Sequence, residues 1–398
     1  MRFRLLSILV CAGACFGQLA PMLEQFRSEY HAGLKKNGIV GSGCAFVHGS
    51  EVIAQDFYGD AVRGASRVDE NTAFHWASIT KTFTGIAIMQ LRDHGLLQLD
   101  DPIVKYVPEL RAVHDRYGPI DAITIRQLMT HSAGFRSPTW PWSGENRSEA
   151  VEWEPFEPTK WSQIVAMLPY SEILFPPGSK HSYSNLGIVF LGQVIERLSG
   201  DDYEVYIDKN ILKPLEMYQS YFDRSPYFLL SHRAAGYLGN GRELKPAPFN
   251  FDSGITVSNG GLNAPIADMV KYLRFLIGSP GKERYEQVLK RNSLEEMWRK
   301  QLPLTSTDPS QGTPESGHDW IGLNFFLHEE GGRMYVGHGG QQAGFVSHIW
   351  VDPAGGSAYV VAFNTDIENG GDQTQALDRD LGMFVMRKIF TAMGAGQR

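Results

Sequence analysis

The sequence predicts an α+β fold: one antiparallel β-sheet flanked by N- and C-terminal helices, with an inserted, mainly helical subdomain. Three observations carry this. Residues 20–37 read as an amphipathic helix followed by two strand-like runs, "GCAFVHG" and "EVIAQDFYG", joined by a tight polar turn. Two further hairpins follow late in the chain, one through the Gly-rich turn of "WIGLNFFLHEEGGRMYVGHGG", the other around "DPAGG". Between these strand regions, about 98–250 is mostly helical periods and long loops. Hairpin-joined strands pair antiparallel, and an amphipathic helix at about 373–392 supplies a second terminal cover. The expected partition is a sheet subdomain of about 18–75 and 250–398, and a helical subdomain of about 76–249.

The 398 residues are enough for a sizeable core, and 42% hydrophobic content is that of a globular chain. A formal net charge of −7 without a basic block argues against a nucleic-acid partner. The first 17 residues read as a signal peptide. Arg2 and Arg4 precede an apolar core from Leu5 to Ala14, with small residues around a cleavage point near Gly17–Gln18. A competing reading makes Cys15 a lipid anchor. The expected location is therefore secreted or periplasmic, as a free protein or a lipoprotein, and no segment is long and apolar enough to span a bilayer. Of three cysteines, only Cys44 lies outside the leader, in an apolar run that makes it a core residue and leaves no internal disulfide.

Three short motifs carry the chemistry. "SITK" puts Ser78 and Lys81 one helical turn apart at the start of a long apolar helix, so a hydroxyl and an amine share one face. Taken alone, Ser78 is a good N-cap. A second Ser-x-x-Lys, Ser279 to Lys282, is a Pro-Gly turn and starts no helix. "YSN", Tyr183 to Asn185, heads another apolar helix, and "HGG", His338 to Gly340, ends a strand. Each has an ordinary structural explanation, but the three in this order are consistent with one site.

On these residues the sequence resembles the serine hydrolases that share the fold of penicillin-binding proteins and class C β-lactamases, a group that includes D-Ala-D-Ala carboxypeptidases, D-aminopeptidases and esterases. "LMTHSAGF", "NILKPLEM" and "GHGGQQAGFVS" extend the likeness over nearly the whole chain after the leader. The resemblance implies an acyl-enzyme on Ser78, with Lys81 or Tyr183 as the base and Tyr183 relaying the proton to the leaving group. It implies that Asn185 orients Lys81 and holds a substrate carbonyl, and that the backbone N–H groups of Ser78 and Gln341 receive the oxyanion. Gly339 and Gly340 let the substrate backbone approach the strand. Where relatives often place Lys first in the third motif, this chain has His338, which is cationic only part of the time near neutral pH. That weakens attraction for a substrate carboxylate and favours peptidase or esterase over β-lactamase activity. No metal or organic cofactor is implied, since neither HExxH nor paired-Cys spacing occurs. The absence of GxSxG argues against an α/β-hydrolase elbow. The expected partner is a small-molecule or peptide substrate. The alternative is a catalytically silent peptide or peptidoglycan receptor on the same fold, which would have no need of a base.

Trp140, Trp142, Trp153 and Phe156 read as a loop that either overhangs the site or anchors itself to the body. Asn146-Arg147-Ser148 matches a glycosylation acceptor that matters only in a eukaryotic secretory route.

Overall fold

A computed structural model describes residues 16–137, 139, 158–240, 243–247, 252–278, 283–304, 319–368 and 371–394. Residues 1–15 of the expected leader, with Cys11 and Cys15, residues 140–156 with Asn146, and the Ser279 motif lie outside the described residues. Among the described residues, no helix is long and apolar enough to cross a membrane.

The main sheet has nine strands. β1 (Gly41–His48), β2 (Glu51–Val62) and β3 (Ser66–Arg67) come from the N-terminal region. β4 (Leu302–Pro303), β5 (Asp319–Ile321), β6 (Phe326–Glu330), β7 (Arg333–Gln342), β8 (Phe345–Asp352) and β9 (Ser357–Phe363) come from the C-terminal region. Their spatial order is β3-β2-β1-β9-β8-β7-β6-β5-β4, with antiparallel neighbours throughout. β1 pairs with β9 from Ser42 opposite Phe363 to His48 opposite Ser357, so the two ends of the chain close one sheet.

The period-two alternation of β1 decides which layer each side chain joins. Cys44 and Phe46 enter a core shared with the terminal helices, while Ala45 and Val47 face the larger core on the other side. α1 (Phe16–Lys36) brings Phe26, Tyr30 and Leu34 onto the outer face at i, i+4 and i+8. α5 (Gln373–Phe384) continues through Val385–Phe390 and packs beside it with Leu381, Val385 and Ile389. Cys44 is a buried free thiol, pushed up in pKa by burial, as a core residue should be. On the inner face, α2 (Thr80–Asp93), α3 (Asn185–Ser199) and α4 (Ile266–Ile277) share the larger core.

The stretch expected to be helices and loops also holds strands of two or three residues, Tyr221–Phe222, Tyr237–Gly239 and Leu244–Pro246. Elements this short have no readable periodicity. One of them, Tyr237–Gly239, pairs parallel with Thr365–Ile367, an exception to the antiparallel rule. Another small sheet matters more for function. Ala73–His75 and Tyr221–Phe222 both pair with Leu262–Pro265, which fixes the chain just before Ser78.

Candidate active site

Ser78 is delivered by a strand followed by a tight turn. Trp76 follows the strand, its N–H donating to Leu262 O at 2.9 Å and its indole Nε1 to Ala264 O at 2.8 Å. Ala77 then takes a left-handed backbone (φ 46°), a conformation a non-glycine residue holds only when its surroundings impose it. A 3₁₀ turn over Ala77–Ile79 leads into α2. The helix cap is Ile79, with no side-chain capping bond, so the reading of Ser78 as N-cap does not hold. Its hydroxyl is instead engaged by Lys81.

Lys81 lies in the first turn of α2 and is fully buried. Its Nζ donates to Ser78 Oγ at 2.9 Å and to Asn259 O at 2.6 Å. Burial alone holds its pKa well below the usual lysine value, because the ammonium loses its hydration and no carboxylate compensates. A neutral amine keeps a lone pair, so the 2.9 Å contact can run in reverse and take the hydroxyl proton. The acceptor that orients Lys81 is thus the Asn259 carbonyl, not the Asn185 side chain. No side-chain motif could announce this contact, which is made by a backbone oxygen 178 positions away.

Tyr183 sits between the end of the 130–137 loop and α3. Ser184 caps α3 by accepting from Gly187 N, and its own Oγ donates to Arg136 O at 2.7 Å. Ser184 N donates to His131 Nδ1 at 3.2 Å, while Asn185 N donates to Ser137 O at 3.0 Å. The His131 ring lies 4.4 Å from that of Tyr183, and Phe326 stacks beyond at 6.4 Å. Lys81 Nζ is 5.0 Å from the Tyr183 ring centre. None of the three motifs contains His131 or Phe326, although His131 lies in the "LMTHSAGF" stretch.

His338, Gly339, Gly340 and Gln341 all belong to β7, which continues to Gln342; the HGG motif does not end the strand. Pairing with β8 runs to the end, but pairing with β6 stops at Gly337. The 338–342 edge is therefore open towards the cleft. Gly340 is obligatory here, because a Cβ would fall 2.2 Å from Trp76 O. The Gln341 amide donates to both Asp366 Oδ2 and Asp372 Oδ2 at 2.9 Å, pinning that end of the strand.

His338 departs from expectation in charge. It is 1% exposed, and burial, with Lys81 adding to it, holds its pKa at about 3. Its Nδ1–H donates to Gly339 O at 2.6 Å, which leaves Nε2 as a buried acceptor without a partner among the described residues. A part-time cation is thus replaced by a neutral ring throughout the physiological range. The consequence is measurable. Between pH 6.5 and about 3 the unfolded chain protonates this histidine and the native chain does not. Stability is therefore lost as pH falls through that window. Replacing His338 with Asn should flatten the pH dependence of the urea midpoint there by about one proton, roughly 1.4 kcal/mol per pH unit. An unchanged slope would mean that the native ring is charged.

Ser78, Tyr183, Asn185, His338, Gly339, Gly340 and Gln341 line one cleft of about 410 Å³, with Lys81 beneath Ser78. A nucleophile, an adjacent amine of lowered pKa, a phenol and an open strand edge suit acyl transfer.

The family model described as Beta-lactamase matches residues 26–382. Protein flp of Staphylococcus aureus (strain MW2) is 26% identical over 336 residues, covering 84% of this chain and 61% of its own length. The chain thus spans about three-fifths of that relative. Among solved structures, the octameric penicillin-binding protein homologue from Pyrococcus abyssi aligns with a TM-score of 0.73 at 25% identity, over 92% of this chain and 77% of that one. A class C beta-lactamase aligns with a TM-score of 0.72 at 20% identity, over 92% and 96%, a likeness of fold.

Proposed function

We propose that this chain, which belongs to the Beta-lactamase family, is a secreted serine hydrolase that works through an acyl-enzyme on Ser78. The observation that carries the reading is the 2.9 Å contact between Ser78 Oγ and a fully buried Lys81 amine. Ser78 Oγ attacks the substrate carbonyl while its proton passes to Lys81. The oxyanion is received by the N–H groups of Ser78 and Gln341, helped by the positive end of α2. Tyr183, within reach of Lys81, returns the proton to the leaving group as the bond breaks. Water, deprotonated by the same amine, then attacks the acyl carbonyl and frees Ser78.

Asn185 on the cleft wall holds the substrate amide or carbonyl, and the open edge of β7 pairs with its backbone. The neutral His338 offers no fixed cation for a carboxylate, which favours ester or peptide bonds over β-lactams. The leader, residues 1–17, is removed on export or gives way to lipidation at Cys15; the protein then acts in the periplasm or outside the cell.

The test is p-nitrophenyl acetate, an ester that makes few demands on pocket shape. Steady release of nitrophenol is expected, together with an acetyl adduct on the peptide containing Ser78 after rapid acid quench. Release without an adduct on that peptide would move the nucleophile elsewhere. Neither release nor adduct would leave a silent binding protein as the better reading.

A further inference from the structure

The cleft does not end at the catalytic edge. Beyond Gly339 it continues over the outer face of the sheet, beneath α5. On that face β7 presents Gly337 and Gly339, directly opposite Trp350 and His348 of β8. At Gly337 the space of a side chain is taken by Ile349 O, 2.3 Å from a Cβ, and by the Trp350 ring at 2.7 Å, while a Cβ at Gly339 would lie 3.4 Å from the His348 ring. The missing side chain at Gly339 leaves a chamber floored there by backbone and walled by stacked aromatic rings, His348 and Trp350 being 4.7 Å apart at 18°.

Acidic groups line this chamber. Asp378 is 7% exposed; its Oδ2 accepts from His348 Nδ1 at 2.7 Å. Its Oδ1 is buried and has no partner among the described residues. Opposite, His328 bonds Asp319 through Nδ1 at 2.5 Å, with Glu330 Oε2 lying 3.6 Å from its Nε2. The basic groups stay at the rim. Arg387 pairs with Glu330 Oε1 at 3.0 Å with its side chain 57% exposed, and Arg379 is exposed. A buried carboxylate oxygen without a donor is costly, and in a chamber open to ligand it marks the place of an incoming donor. A cleft wall that carries both a carboxylate and an indole suits a cation.

We infer that this chamber is a substrate subsite for a primary ammonium group, which donates to Asp378 Oδ1 and rests against Trp350. The inference rests on the Ser78 cleft being the substrate site, since the chamber is its continuation. It selects substrates that carry a lysine-like or ornithine-like amine on the part that passes Gly339.

The test reads binding, not turnover. Acetylated tripeptides of both hands, identical except for a terminal Lys, Gln or Glu, are titrated calorimetrically into the Ser78→Ala protein. The Lys peptide of one hand is expected to bind at least tenfold more tightly than its Gln counterpart, with Glu weakest. Asp378→Asn in the same background should bring Lys and Gln within twofold. Met383→Lys, which sets a competing cation in the chamber wall, should do the same, and it covers the case of an Asp378 variant that fails to fold. Equal Lys and Gln affinities, a preference for Glu, or a Lys preference that survives both substitutions would overturn the subsite. Because the probe protein cannot be acylated, that failure leaves the Ser78 chemistry standing. Conversely, an absence of ester turnover in the wild type leaves this result readable.

Discussion

Ser78→Ala is expected to lower kcat/KM for p-nitrophenyl acetate by about 10⁴-fold or more, to the level set by binding and oxyanion contacts alone. Ser137 and Ser347 also line the cleft, but neither replaces it. Ser347 Oγ is committed to Trp76 O at 3.3 Å, and Lys81 has its contact with Ser78. The substitution removes one hydroxyl and one hydrogen bond. Lys81 keeps Asn259 O, and the Ala77 turn is held by Trp76 and the small sheet. The thermal midpoint should therefore reflect a stability change within about 1 kcal/mol. Full loss of turnover in a folded protein is the expected pair of results. Turnover retained above about a tenth of wild type would show that Ser78 is not the nucleophile.

Lys81→Met should separate catalysis from stability even more sharply. Without the base, kcat is expected to fall by about 10²–10⁴-fold. Stability should move the other way. The native amine is fully buried, with its pKa held well below 10.5, whereas the unfolded chain protonates it up to that value. Between the depressed native pKa and 10.5, folding must release this proton, so the group destabilises the native state more as pH falls through that window. Methionine has similar length, carries no charge and leaves only Asn259 O to be satisfied. A gain in stability at pH 7 is expected from urea unfolding. The gain should shrink as pH rises towards 10.5, by up to about 1.4 kcal/mol per pH unit. A variant less stable than wild type at every pH, with no change in slope, would show the native lysine to be charged.

Both predictions turn on a pairing that was legible in the sequence. Spacing of three on an apolar helix brings Ser78 and Lys81 onto one face without reference to the rest of the chain. The position of "YSN" at a helix head and the order of hairpins and helices were legible for the same reason, since they depend on local period and turn chemistry. Ser78 as N-cap was a misreading of that kind of signal. The residue type suits a cap, but Ala77 turns left-handed and the hydroxyl goes to Lys81. The tiny strands that hold the nucleophile segment had no period to read.

By itself, then, the sequence determined the pieces: an α+β arrangement with helices at both ends, three motifs, and the residue types available to an acyl-transfer site. Tertiary structure decided what those residues are chemically. Lys81 and His338 are held well below their usual pKa values because elements far apart in sequence remove them from water, and desolvation depends on everything packed around a group. The Asn259 carbonyl orients the amine because α2 meets a short helix from another part of the chain. Gly339 becomes the floor of a chamber only because β8 and α5 build walls around it. Local spacing is written in a few neighbouring residues; charge state, strain and the shape of empty space belong to the whole fold.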